Sequence, residues 1–78
     1  MPATDDPLAH ACRDLWRATF SLMKAYPQAA GPAQRTMLAR RIARNFHTLT
    51  AQAAHFAPGS RGAFARLARR WAGLAGWH

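Results

Sequence analysis

The chain has 78 residues, and its 11 Lys and Arg against three Asp and Glu give a formal net charge of +8 at pH 7. A chain of this length builds one small core, so we expect a single helical domain over residues 1–78, with residues 1–5 disordered. Val is absent, Ile42 is the only isoleucine and Ala occurs 19 times. This composition argues against a β-sheet and predicts an all-α fold.

Two clusters of Pro and Gly, residues 27–32 and 58–60, divide the chain into three segments with the apolar periodicity of amphipathic helices. Asp6 is expected to cap the first helix and Ser60 the third. Short connections favour antiparallel neighbours, so we predict an up-down-up three-helix bundle. The predicted helices cover residues 7–25, 32–56 and 60–76.

The first helix has an apolar arc of about 160°, wider than the roughly 100° that a surface helix needs. Trp16 and Phe20 lie at the edge of this arc. Aromatic residues are enriched at protein interfaces, so both are candidate contacts with a protein partner or with a second copy of the chain. The alternative is that both rings pack against the third helix.

Helices two and three each place their apolar residues on one face and arginines on the other. Burying the apolar faces turns the arginines outward, where they are expected to form one basic surface. Trp77 follows this surface near the chain end and has a ring suited to stacking on a base. The candidate nucleic-acid ligands are Arg40, Arg41, Arg44, Arg61, Arg66, Arg69, Arg70 and Trp77.

From Leu15 to His78 there are ten Lys and Arg and no carboxylate. Such one-sided charge favours a polyanionic partner, either nucleic acid or an acidic protein surface. Arginine suits phosphate because its planar guanidinium donates two parallel hydrogen bonds. Use of Arg instead of Lys is also typical of a GC-rich genome, but that bias does not explain the absence of Glu.

Residues 52–66 have the features of a degenerate helix-turn-helix, in which Arg61 and Arg66 would face the DNA major groove. The turn is about one residue longer than the usual three or four, and the helix before it is too long. A plain corner between two helices of a bundle is therefore favoured.

We expect no enzymatic activity, no small-molecule substrate, no cofactor and no metal. The carboxylates are confined to the start of the chain, and Cys12 lies within an apolar stripe, where cysteine acts as a small hydrophobic residue. A single cysteine and the lack of a long apolar segment favour a cytoplasmic protein. Membrane binding by the third helix is disfavoured because its apolar face is needed to close the core.

Two function classes stay open. One is a small, basic, non-enzymatic regulatory protein that associates with nucleic acid through the arginines of helices two and three. The other is a protein–protein interaction module, either an inhibitor or adaptor of one partner or a homodimer formed through helix one. We favour nucleic acid, because the missing carboxylates are harder to explain otherwise than a broad apolar face.

Overall fold

The computed structural model describes residues 6–76, and within this range the chain is helical with no strand. The α-helices are α1 (Pro7–Ala25), α2 (Pro32–Ala51) and α3 (Ser60–Leu74), with 3-10 turns at Tyr26–Gln28 and Ala53–His55. The prediction of a small all-α three-helix bundle is confirmed. The expected disorder of residues 1–5, and the position of Trp77, lie outside the described residues.

One aromatic ring from each helix meets at the centre of the bundle. Phe46 of α2 lies with its ring centroid 6.0 Å from that of Trp16 of α1 and 6.0 Å from that of Phe64 of α3. Trp16 and Phe64 close the triangle at 5.9 Å. Tyr26 just after α1 meets Trp71 late in α3 at 5.0 Å, so α1 and α3 run in the same direction and α2 runs against them.

The interior is built mainly from the apolar stripe of α2, which packs most closely on α3. Ile42, Phe46 and Leu49 are fully buried. Thr19 of α1 is also fully buried, and its hydroxyl donates a hydrogen bond to the carbonyl oxygen of Leu15 at 2.6 Å. That bond satisfies the hydroxyl, so a threonine takes a core position without an unpaired polar atom.

The start of α1 is fixed as its sequence predicts. Asp6 is the N-cap, and its Oδ1 accepts a hydrogen bond from the backbone N–H of Leu8 at 3.0 Å. Pro7 occupies the first helical position, where its missing N–H removes no hydrogen bond. The other carboxylate oxygen of Asp6 lies 3.8 Å from Nδ1 of His55, which ties this end of α1 to the turn after α2.

The predicted second helix, residues 32–56, is too long. It ends at Ala51, and a 3-10 turn and an extended Phe56 follow. The change of direction lets the ring of Phe56 pack edge-on against Phe64 at 5.1 Å, a tertiary contact that overrides the helical periodicity.

Both ends of the predicted third helix also need correction. Its N-cap is Gly59, in a left-handed conformation with φ of 89°, and Ser60 is already the first helical residue. The helix ends at Leu74 and not at residue 76, because Gly76 has φ of 80°. Glycine adopts this left-handed conformation without a Cβ clash and so commonly ends a helix.

No helix within residues 6–76 combines the length and the apolar character needed to cross a lipid bilayer.

Removing the Asp6 cap tests how α1 is held. Asp6→Ala loses the acceptor for the Leu8 N–H, and we expect the free energy of unfolding to fall by about 0.5–2 kcal/mol. Asp6→Asn keeps an acceptor oxygen but loses the charge next to His55, so it should retain most of the stability. Thermal unfolding followed by circular dichroism measures both, since about 1 kcal/mol shifts Tm by roughly 4–8 °C in a domain of this size. Equal losses in both variants would mean that the negative charge of Asp6, not its hydrogen bond to the Leu8 N–H, stabilises this end.

Candidate nucleic-acid interface

An open groove of about 370 Å³ runs between α2 and α3 on the surface of the bundle. It is lined by Ala43, Arg44, His47, Ala68, Arg69 and Ala72, and is called the α2–α3 groove below. The alanines form an apolar floor beside the core, and their small side chains leave the space that constitutes the groove. Arg44, His47 and Arg69 are exposed. The groove thus combines an apolar floor with positively charged walls from two helices.

A second concave surface lies on the outward side of α2 and continues from the first. It contains Gln34, Met37, Leu38, Arg40, Arg41, Arg44 and Asn45 and is called the α2 outer surface below. Arg44 lines both concave surfaces, so it joins them. Four of the candidate ligands, Arg40, Arg41, Arg44 and Arg69, therefore line two concave surfaces that have Arg44 in common.

The other arginines lie elsewhere. Arg61 lines a shallow depression at the connection between α2 and α3, about 12 Å along the helix axis from Arg69. Arg66 and Arg70 are exposed on α3, and Arg70 lies about 100° around the helix from Arg69. Nη1 of Arg66 lies beside Gly62. It is 3.7 Å from the position that a Cβ atom would occupy if this residue were not glycine. Arg66 and Arg70 form a ridge on the outward side of α3 and do not line the α2–α3 groove.

The charge of the protein is unevenly distributed between its helices. Within the described residues the carboxylate side chains are Asp6 and Asp14, at and within α1, and each lies near a basic group. Asp14 is 4.0 Å from Nη1 of Arg17, and Asp6 is next to His55. Residues 26–76 carry eight arginines and no Asp or Glu, so α2 and α3 hold almost the whole net charge.

His47 is a groove residue that the sequence analysis did not select. In the helical periodicity it lies opposite the apolar face of α2, on the same side as the arginines of that helix. The available signal was its spacing, since it follows Ala43 by four residues and Arg44 by three and so shares their side of the helix. Only the antiparallel packing of α3 places Arg69 on the same groove.

The aromatic candidates on α1 occupy two different environments. Trp16 is half-buried and contacts the rings of Phe46 and Phe64, so it joins α1 to both other helices. Phe20 remains 49% exposed. The ring of Phe20 contacts Trp16 at 6.0 Å, and Nζ of Lys24 lies 5.6 Å from its centroid in a cation–π geometry.

The connection between α2 and α3 does not have helix-turn-helix geometry. It spans residues 52–59 and includes a 3-10 turn, whereas the motif has a turn of three to four residues. The two helices pack closely on each other and run antiparallel, joined by the short connection. Arg61 and Arg66 are therefore not presented on a separate recognition helix.

Three observations concern reactive and metal-binding groups. Cys12 is a free cysteine and is buried at 4% exposure. Among residues 6–76 no three His, Cys, Asp or Glu side chains lie close enough together to hold a metal ion. Each buried side-chain nitrogen or oxygen in the same range has a hydrogen-bond partner.

Comparison of the chain with protein-family models, with curated proteins and with solved structures found no match.

Truncating the two aromatic residues of α1 should have unequal effects. Trp16→Ala removes two of the three contacts in the central aromatic triangle, and we expect much of the roughly 3–5 kcal/mol typical of Trp truncation in a core. Phe20→Ala removes a half-exposed ring and should lower the free energy of unfolding by only about 1 kcal/mol. Urea unfolding of both variants measures the difference. Similar losses would contradict the assignment of Trp16 to the core.

Proposed function

We propose that this protein is a non-enzymatic, nucleic-acid-binding protein whose binding surface is formed by α2 and α3. The observation that supports this most strongly is that Arg44 of α2 and Arg69 of α3 line the same groove. The two arginines come from different helices, and neither helix contains Asp or Glu.

The arrangement suits a phosphodiester chain. Phosphate groups recur along a nucleic acid, and Arg40, Arg41 and Arg44 extend the positive surface from the groove along α2. Guanidinium groups bind phosphate oxygens in pairs of hydrogen bonds, and release of counterions from the nucleic acid drives association at low salt. Arg66 and Arg70 contribute long-range attraction from the outward ridge of α3.

A matched pair of double variants tests the position of the surface. Arg44→Gln/Arg69→Gln should weaken binding to a short mixed-sequence DNA duplex and lower the slope of log Kd against log salt by about 1.8, as expected for two lost phosphate contacts. Arg13→Gln/Arg17→Gln changes the net charge by the same amount on α1 and should leave the slope nearly unchanged. Fluorescence anisotropy from about 50 to 200 mM salt measures both.

Absence of binding at about 50 mM salt would overturn the proposal. Equal loss in the two double variants would mean that net charge alone, without a defined surface, accounts for association. A single-stranded DNA and a single-stranded RNA of the same length identify the preferred form of nucleic acid. Poly-glutamate is included as a competitor, and its preferential binding over all three nucleic acids would favour an acidic protein partner instead.

Binding of a protein, including a second copy of this chain, is the second candidate function, and the exposure of α1 supports it. Phe20 and Leu8 are 49% and 48% exposed, although both are large apolar residues. Exposed aromatic residues often anchor protein interfaces.

Molecular mass measured by light scattering distinguishes this candidate. Self-association through α1 predicts a dimer that becomes a monomer in Phe20→Ala, whereas Met37→Ala, a change of the 70% exposed methionine of α2, should have no effect. A wild-type protein that stays monomeric at its highest soluble concentration would contradict homodimerisation.

A further inference from the structure

His47 lies in the α2–α3 groove with two arginines from different helices. Arg44 precedes it by one turn on α2, and Arg69 lines the same groove from α3. Among residues 6–76 the other lining residues are alanines, so within this range the charged or titratable groups that line the groove with His47 are these two guanidinium groups. No Asp or Glu occurs on either helix.

His47 differs from its two arginine neighbours in side-chain chemistry, because an imidazole can bind phosphate either with or without an added proton. Arginine stays protonated at all relevant pH values, whereas histidine side chains gain or lose a proton between about pH 5 and 8. A proton on His47 adds a third positive charge to the groove. A phosphate held between Arg44 and Arg69 attracts that charge and offsets its repulsion by the two guanidinium groups.

On the basis of the proposed function, we infer that the α2–α3 groove holds a phosphate of the nucleic-acid backbone and that His47 is its third, protonation-dependent ligand. Arg44 and Arg69 supply the contacts that are present at every pH. The protonated imidazole donates a further charge-assisted hydrogen bond to a phosphate oxygen. Binding and proton uptake are then linked, so each favours the other to the same extent.

The sign of the pH dependence follows from this linkage. Lowering the pH populates the protonated imidazole, so affinity for the polyanion rises as pH falls. We expect Kd for a DNA duplex to fall by about two- to fivefold between pH 8 and pH 5.5, the range of an exposed charge pair. The slope of log Kd against log salt should steepen by up to about 0.9, corresponding to one added phosphate contact.

Three variants assign the effect to this residue. His47→Gln should bind with the wild-type affinity at pH 8 and lose most of the gain at pH 5.5. His47→Arg carries a permanent charge and should bind at pH 8 about as tightly as the wild type does at pH 5.5. His10→Gln, on the exposed surface of α1, is the control and should keep the wild-type pH dependence.

Anisotropy with a duplex carrying a pH-insensitive rhodamine label measures Kd for all four proteins, and circular dichroism at both pH values verifies that each is folded. Equal affinity of the wild type at the two pH values would overturn this inference but leave the proposed function standing. A pH effect that persists in His47→Gln would also overturn it. Absence of binding at both pH values would overturn the proposed function itself.

Discussion

The contact between Trp16, Phe46 and Phe64 is the interaction on which the rest of the structure depends, because it joins all three helices at one point. Burial of aromatic rings is a large favourable term in so short a chain, where half of the apolar residues are alanines with little surface to bury. Each ring fixes the rotation of its own helix about its axis. Once Phe46 and Phe64 point inward, the positions of the arginines on α2 and α3 follow from helical geometry.

Alanine determines the shape of the surface that results. Ala43, Ala68 and Ala72 beside the core let α2 and α3 approach closely and leave a shallow groove above them. Arg44 and Arg69 stand at the walls of this groove because they are one position further around their helices than the alanines that precede them. The helical positions of Arg66 and Arg70 direct their side chains away from the α2–α3 groove. The arginines therefore do not form a uniform basic face. Two concave surfaces that share Arg44 carry arginines of both helices, and Arg66 and Arg70 form a separate ridge on the outside of α3.

The two sides of the bundle differ in electrostatic character. Asp6 caps α1 and lies beside His55, and Asp14 lies beside Arg17, so the charge of both carboxylates is used for local structure. On α2 and α3 no carboxylate is available for that purpose, and helix capping there relies on glycine and backbone geometry. An anion that approaches the protein meets an attractive surface on α2 and α3 and a nearly neutral one on α1, and this difference orients its approach.

The sequence by itself determined the helical content, the start of each helix to within one residue and the Asp6 cap, because these depend on local periodicity and on residues adjacent in the chain. Tertiary structure decided where α2 and α3 end, since the contact of Phe56 with Phe64 and the left-handed glycines are not encoded in periodicity. It also decided which arginines share a surface. Residues on different helices become neighbours only through the relative rotation and offset of those helices, and that offset is set by the packing of the aromatic rings.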